Sequence, residues 1–322
     1  MNDKIFSNAF YASMLSIVCI LAPGSAVAAI ASIADSYHNL GANNVVGHDA
    51  NNDGAANHSN NTGEVCVFCH TPHGGDNSAA APLWNRILSN SSTYTRYSDL
   101  GTSSFDATEA PVGSISVACL SCHDGTQALD SVINAPGSGG YNNTQGVSIG
   151  GMVGGDLSST NSLQAGIVQN LGTDLSNDHP VSMQYGGGGV STTALTGPTK
   201  DPDFVAGSNS KAHPRGFTLN NMPAPANGSI STLWWIERNE FSIDNGTRDR
   251  TDVILYTRLP GDSGLADEQP FVECGSCHDP HNIENPTFLR VSNGIPSSLA
   301  NDFPNAVDPN YGSALCLTCH TK

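Results

Sequence analysis

The feature that most constrains this chain is a five-residue pattern, C-x-x-C-H, which occurs four times. It stands at Cys66–His70, Cys119–His123, Cys274–His278 and Cys316–His320. Of the nine cysteines, only Cys19 falls outside the pattern. Two thiols one helical turn apart, followed at once by histidine, are the signature of c-type haem attachment. The fold is therefore expected to form around four bulky prosthetic groups.

The chemistry of attachment explains the spacing of the pattern. The two thiols add to the two vinyl groups of one porphyrin, and the adjacent histidine then binds the iron as its proximal axial ligand. The pattern predicts four haem c groups. The thioether residues would be Cys66, Cys69, Cys119, Cys122, Cys274, Cys277, Cys316 and Cys319. The proximal ligands would be His70, His123, His278 and His320.

Two other kinds of site use paired cysteines. Four C-x-x-C pairs would be enough for two zinc ions with four thiolates each, and an exported chain can carry a disulfide framework. Neither kind of site requires a histidine after every second cysteine. Haem attachment is therefore the favoured interpretation.

The N-terminal segment is typical of a secretory signal peptide. Lys4 precedes an apolar run from about Phe10 to Leu21, and Ala26-Val27-Ala28 forms an A-x-A cleavage site. The apolar run is too short for a permanent membrane-spanning helix. We expect cleavage of residues 1–28, no integral membrane segment afterwards, and an exported chain.

Composition limits both the partners and the fold. A formal net charge of -17 disfavours nucleic acid and anionic lipid as partners. The chain has 34 Gly and 18 Pro with only 38% hydrophobic residues, which predicts short regular elements and much of the chain in turns and loops. Since such a chain buries little apolar surface by itself, the haem groups would form much of its core.

Each iron also needs a second axial ligand. Seven histidines lie outside the attachment pattern, whereas the chain after residue 28 has only the methionines Met152, Met183 and Met222. Bis-histidine iron of low potential is therefore expected, with no open position for a substrate. The distal candidates are His73, His281, His179 and His38, with His213 in reserve. His48 and His58 are expected to be solvated loop residues.

Two of the distal candidates follow a proximal histidine by three residues. His73 follows His70, and His281 follows His278. A histidine one turn away cannot easily reach round its own haem to the opposite face. The hypothesis is that His73 and His281 bind the iron of neighbouring haem groups.

A longer series of motifs resembles a known family. The series is His38-Asn39-Leu40, Cys66 to His73 with C-H-T-P-H, Pro82-Leu83-Trp84-Asn85-Arg86, Cys119 to Thr126, Asn177 to Ser182, Cys274 to Asn282, Phe288-Leu289-Arg290 and Cys316 to His320. In this order, it resembles the extracellular multihaem cytochromes of metal-reducing bacteria. Within them, the tetrahaem, OmcE-type members that polymerise into filaments are the most similar.

The resemblance implies a mostly irregular coil with short helices that carry the attachment motifs and a few short strands. It also implies haem groups stacked in alternating parallel and T-shaped pairs, and it supports His38, His73, His179 and His281 as distal ligands. It also implies a homopolymer held by haem–haem subunit contacts, with one histidine binding a haem of the next subunit. Other cytochromes and extracellular electron acceptors would be its partners. Pro82 to Arg86 are expected to cover a haem, with Arg86 available to a propionate.

The motifs divide the chain into three parts. Residues 29–137 would carry the first two haem groups and residues 256–322 the last two. A Gly/Ser-rich insert of about 138–255 lies between them, with possible strands at Leu233–Ile236 and Val253–Tyr256. The whole of 29–322 is expected to be a single tetrahaem unit.

Three functional hypotheses follow for a chain of this kind. It would be an electron carrier rather than an enzyme, and the first hypothesis is a subunit of an extracellular or cell-surface filament. The second is a soluble periplasmic or surface shuttle. The third, a multihaem reductase, is least favoured because it needs an open iron, often marked by lysine in place of one motif histidine.

Overall fold

The fold is given by a computed structural model. The described residues are 33–42, 57–102, 107–178, 180–206, 217–226, 229–237, 248–250, 252–283, 285–291 and 314–321. The chain divides into a unit Met1–Ile30 and a unit Ala31–Lys322. The predicted signal segment, residues 1–28, falls within the first unit and lies outside the described ranges.

The helices are short, and three of them consist of attachment residues. The α-helices are α1 (Ser114–His123), α2 (Pro260–Ser263), α3 (Cys274–Cys277) and α4 (Cys316–Cys319). The 3-10 helices are Ile33–Asp35, Cys66–Phe68, Ser91–Thr93, Tyr97–Leu100, Leu175–Asn177, Tyr185–Gly187 and Pro286–Phe288. In the described parts of the chain, no helix has both the length and the apolar character needed to cross a membrane.

Nine strands complete the described secondary structure. They are β1 (His58–Ser59), β2 (Ser131–Val132), β3 (Val147–Ser148), β4 (Met152–Val153), β5 (Met183–Gln184), β6 (Thr218–Pro223), β7 (Thr232–Glu237), β8 (Val253–Arg258) and β9 (Gln269–Val272). Most described residues lie outside helices and strands, which confirms the coarse prediction of a largely irregular chain.

Five strands form one antiparallel sheet in the order β5-β9-β8-β7-β6. Both segments predicted as strands lie in it, within β7 and β8. Trp234 and Trp235 are fully buried on opposite faces of β7, so this strand is covered on both sides. β8 crosses the boundary suggested near residue 255, and it pairs with β7 on one side and β9 on the other.

The sheet positions two of the attachment turns. β9 ends at Val272, two residues before α3 begins, so the third turn leaves directly from the sheet. Leu315 and Cys319 of the fourth turn pack against the apolar cluster that contains Trp234, Ile236 and Leu255. The middle of the chain therefore supports the C-terminal turns rather than lying apart from them.

Helix α1 has a different role, because five of its ten residues are buried and the other five are half-buried. Ser116, Val117, Ala118, Leu120 and Ser121 are each at most 6% exposed. Small Ser and Ala side chains allow close approach on several faces. Gly275 of α3 shows how tight the contact is, since a Cβ there would lie 3.1 Å from Cγ2 of Ile115.

Candidate functional site

The four attachment turns share one backbone hydrogen bond. The histidine N–H donates to the carbonyl of the first cysteine at His70 (2.8 Å), His278 (3.0 Å) and His320 (3.0 Å), and α1 contains the second turn. This helical bond places the histidine one turn beyond the first cysteine. None of the eight motif cysteines is in a disulfide bond.

Three proximal histidines are oriented in the same way. Nδ1 lies 2.7 Å from the carbonyl of Pro82 in His70, 2.8 Å from that of Gln169 in His123 and 2.7 Å from that of Thr287 in His278. A carbonyl can only accept, so Nδ1 carries the proton. The free lone pair is then on Nε2, which is the arrangement by which histidine commonly binds a metal.

At the first and third turns, a later segment of the chain folds back and forms the same two backbone hydrogen bonds with the turn. These two bonds clamp the turn in place. At the first, Thr71 N–H donates to Leu83 and Asn85 N–H donates to Cys69. At the third, Asp279 N–H donates to Phe288 and Arg290 N–H donates to Cys277, each at 2.8 Å. Leu83 and Phe288 occupy equivalent positions, and both have left-handed backbones with φ of 50° and 60°.

The fourth turn repeats this clamp with residues from the middle of the chain. Thr321 N–H donates to Asp203 at 2.7 Å, and Val205 N–H donates to Cys319 at 2.8 Å. Phe204 between them lies 4.2 Å from the His320 ring. Since Gln169 also supports His123, the insert supplies backbone groups to the second and fourth sites.

Two proximal histidines face a second imidazole. The ring centroids of His38 and His123 are 6.1 Å apart with planes inclined by 82°. Those of His70 and His281 are 6.2 Å apart with planes inclined by 20°. Among the distal candidates, His38 therefore faces the second turn and His281 faces the first.

These distances allow a test of whether haem iron fits. An iron atom between two imidazole nitrogens needs roughly 2 Å on each side, and adding the distance from nitrogen to ring centre gives a centroid separation of about 6 Å. Both pairs have this separation. Beside the first pair, an open cavity of about 510 Å³ is lined by Cys66, His70, Thr71, Pro72, Pro82, Leu83 and His281. The residues present fit the group.

His38 has the protonation state that a ligand requires. Burial lowers its pKa to about 3, and nearby His123 acts in the same direction while a hydrogen bond to the backbone of Pro280 opposes it. Its Nδ1 is buried with no hydrogen-bond partner among the described residues. Phe288 stacks on the ring, with centroids 4.3 Å apart. The imidazole is therefore neutral and held in place.

The other distal candidates are not placed against an imidazole. His73 is exposed, and its ring has no partner in the described ranges, although its backbone carbonyl accepts from Thr71 and Asn134. His179 and the reserve candidate His213 lie outside the described residues, as does His48. His58 lies in β1 and bonds Asn60 at 3.2 Å.

Each attachment turn has a thiol close to a thiol of the next turn along the chain. Burial raises the pKa of Cys69 to about 12, and nearby Cys122 adds to the rise. Cys119 donates to Cys274, which raises the pKa of Cys119 and lowers that of Cys274. Burial raises the pKa of Cys277 to about 11, with Cys274 and Cys316 adding to it. The first, second, third and fourth turns therefore succeed one another in space.

A buried polar network joins the second and third turns. Glu273 accepts from Ser116 (2.6 Å) and Ser182 (2.9 Å) and lies 3.1 Å from Nε of Arg258. Burial raises the pKa of Glu273, and the Arg258 guanidinium opposes that rise. This network could not be predicted from sequence, because its members are far apart in the chain.

Arg86 differs from its expected role at a haem propionate. It is fully buried, and all five of its N–H groups are used on backbone carbonyls. No N–H remains for a propionate. Arg86 instead ties Ser121 to the loop at 128–131.

Comparison with protein-family models and with curated proteins finds no match for this chain.

Proposed function

We propose that the protein transfers electrons through four covalently attached haem c groups. The observation that carries this proposal is the pairing of His70 with His281 and of His38 with His123, each at the separation that iron requires. When bound, the haem groups would supply one-electron chemistry, and the chain would supply placement and electrostatics.

Each part of the site has a distinct role in this proposal. The cysteine pairs would hold the porphyrin edges, and the carbonyls of Pro82, Gln169 and Thr287 would fix the proximal tautomers. At the first and second sites, a histidine on each face of the iron would leave no position for a substrate, which supports an electron carrier over a reductase. The succession of thiols supports a continuous row of four sites.

The first experiment is haem stoichiometry. The full chain would be produced in a bacterial host with a cytochrome c maturation system, and its haem measured by pyridine haemochrome absorbance against protein mass. We expect four haem groups per chain and a low-spin spectrum. Replacing both Cys119 and Cys122 by Ala should reduce the count to three. A chain recovered without covalent haem would overturn the proposal.

We further propose that the chain is exported and polymerises into a filament. The exposed His73 supports this proposal. His73 and His281 are the last histidines of the two C-H-x-P-H motifs. His281 faces an imidazole of the same chain, whereas His73 faces none in the described residues. His73 would then be available to the iron of another subunit. The acceptors would be other cytochromes and extracellular oxidants.

Electron cryo-microscopy of protein recovered from outside the cells tests this part. Filaments with an unbroken row of haem groups, lost in His73→Ala, are the expected result. Separate particles with every iron bound within one chain would instead favour a soluble periplasmic or surface shuttle. Replacement of His58, which is bonded to Asn60, is the matched control and should leave filaments intact.

A further inference from the structure

Arg86 is buried without a carboxylate partner. Its Nε and Nη2 donate to Ser121 O at 3.2 and 2.9 Å, its Nη1 donates to Leu129 and Ser131, and its Nη2 also donates to Ala128. Neutral carbonyl dipoles solvate the guanidinium but do not cancel its charge. The site is 0% exposed, so water and salt screen that charge weakly.

The other arginines near attachment turns are paired. Arg258 lies 3.1 Å from Glu273, and Arg290 lies 3.7 Å from Asp279, both beside the third turn. The ion pairs of the described residues also include Arg96 and Arg250, but none involves Arg86. Beside the third turn two arginines share the Asp279 carboxylate, since Arg250 lies 3.9 Å from it, whereas no carboxylate pairs with Arg86 in the described residues.

The position of Arg86 relates it to two sites at once. The preceding residue, Asn85, donates its N–H to the carbonyl of Cys69 at 2.8 Å. The guanidinium binds the carbonyl of Ser121, which directly precedes Cys122 and His123.

We propose that the unpaired, buried charge of Arg86 raises the reduction potentials of the first and second haem sites. The proposal rests on the proposed function. Adding an electron makes a site more negative, and a fixed positive charge nearby stabilises that reduced form. Arg86 would therefore favour the presence of an electron at these two sites.

Two buried carboxylates oppose Arg86 without pairing with it. Asp124 follows His123 and accepts from Tyr94, Ser89 and Thr126. Asp130 lies between two of the carbonyls that Arg86 binds, and it accepts from Ser148, Gly150 and Asn161. Their charges are stabilised by these donors. They act on the same two sites in the opposite direction and are present in both proteins, so comparison of Arg86→Gln with the unsubstituted protein isolates the contribution of Arg86.

The test is a redox titration of the purified tetrahaem protein, followed by absorbance and by EPR. Arg86→Gln removes the charge, while Arg86→Lys keeps it and loses the fork of hydrogen bonds. At a fixed potential, the ratio of reduced to oxidised haem at the first two sites should fall about tenfold in Arg86→Gln, equal to about 59 mV for one electron. Arg86→Lys should retain most of the ratio.

The matched control is Lys200→Gln, which changes net charge equally at an exposed residue with no ion pair in the described residues. It should leave all four sites within twofold of the unsubstituted protein. An unchanged ratio in Arg86→Gln, or equal shifts in the Gln and Lys variants, would overturn the inference. Haem stoichiometry is measured on every sample, so loss of haem attachment in the unsubstituted chain would count against the proposed function instead.

A second variant applies even if Arg86→Gln does not accumulate. Asp130→Asn removes a buried carboxylate that opposes Arg86, so the ratio of reduced to oxidised haem at the first two sites should rise, and the rise should persist at high salt because a buried charge is screened little. An unchanged ratio would show that charges at this place in the fold do not act on the two sites, which would contradict the role of Arg86.

Discussion

His70 and His281 face each other with ring centroids 6.2 Å apart, although one belongs to the first attachment turn and the other follows the third. Asp279 lies 3.6 Å from Nδ1 of His281, and the interaction with His281 is the main reason that the pKa of Asp279 is lowered to about 2. The ionised carboxylate orients the ring and leaves Nε2 for iron. Residues of the N-terminal and C-terminal haem-binding parts therefore meet at the first site.

Replacement of His281 should change the first haem and leave the third unchanged. His281→Ala is expected to convert one of four low-spin haem groups to a high-spin form, visible by absorbance and EPR. In a Cys66→Ala/Cys69→Ala background, which lacks the first haem, the same replacement should produce no high-spin signal. In a Cys274→Ala/Cys277→Ala background the signal should remain, and the reverse pattern would show that His281 serves its own turn.

The angle between paired imidazoles should be visible in the EPR spectrum. Near-parallel rings, as in His70 and His281 (20°), split the iron d orbitals that overlap with the ligands, which gives a rhombic low-spin signal. Near-perpendicular rings, as in His38 and His123 (82°), leave those orbitals nearly equal in energy and give a strongly axial signal. We expect both signals in the oxidised protein. The axial one should disappear in His38→Ala, and its persistence there would contradict the pairing.

Removing Glu273 should destabilise the contact between α1 and α3. Its carboxylate is fully buried and opposes Arg258, so Glu273→Ala leaves a buried cation and two hydroxyl groups, Ser116 and Ser182, without their partner. Loss of one member of such a pair costs about 3–5 kcal/mol. Guanidinium unfolding of the haem-loaded protein measures this. Glu64→Ala, at an exposed carboxylate, should change the free energy of unfolding by less than about 0.5 kcal/mol.

The attachment turns and their neighbours were accessible from sequence because covalent chemistry requires fixed residue types at fixed spacing. The C-H-x-P-H motifs also indicated that His281 serves a neighbouring turn, and the structure places it against His70. The backbone clamps around the turns could not be predicted from sequence. They use backbone carbonyls of Leu83, Phe288 and Asp203, and every residue type has such a carbonyl.

The sheet was only partly predictable for a related reason. β7 and β8 carry runs of apolar and aromatic residues that indicate strands, whereas β1 to β5 have two residues each and no periodicity to detect. The binding of Arg86 to backbone carbonyls could not be predicted from sequence either. A lone arginine near a haem motif favours a propionate partner, and only the fold shows that carbonyls from 121 to 131 use all of its donors.

Stability should decrease as pH falls through the range in which His38 stays neutral only in the folded protein. Burial lowers the pKa of His38 from 6.5 to about 3. Between these values the unfolded chain binds a proton that the folded chain does not, so acid favours unfolding over this window and adds nothing below it. Iron binding to a neutral imidazole has the same sign.

Guanidinium unfolding of the haem-loaded protein between pH 6 and 4 measures this slope. His38→Met keeps a ligand that does not titrate, so its slope should be smaller by about one proton, or about 1.4 kcal/mol per pH unit. His123, whose pKa burial also lowers, should keep part of the slope in that variant. His58→Ala, at a β1 residue bonded to Asn60, should retain the full slope. Equal slopes in His38→Met and the unsubstituted protein would show that His38 is not held neutral in the fold.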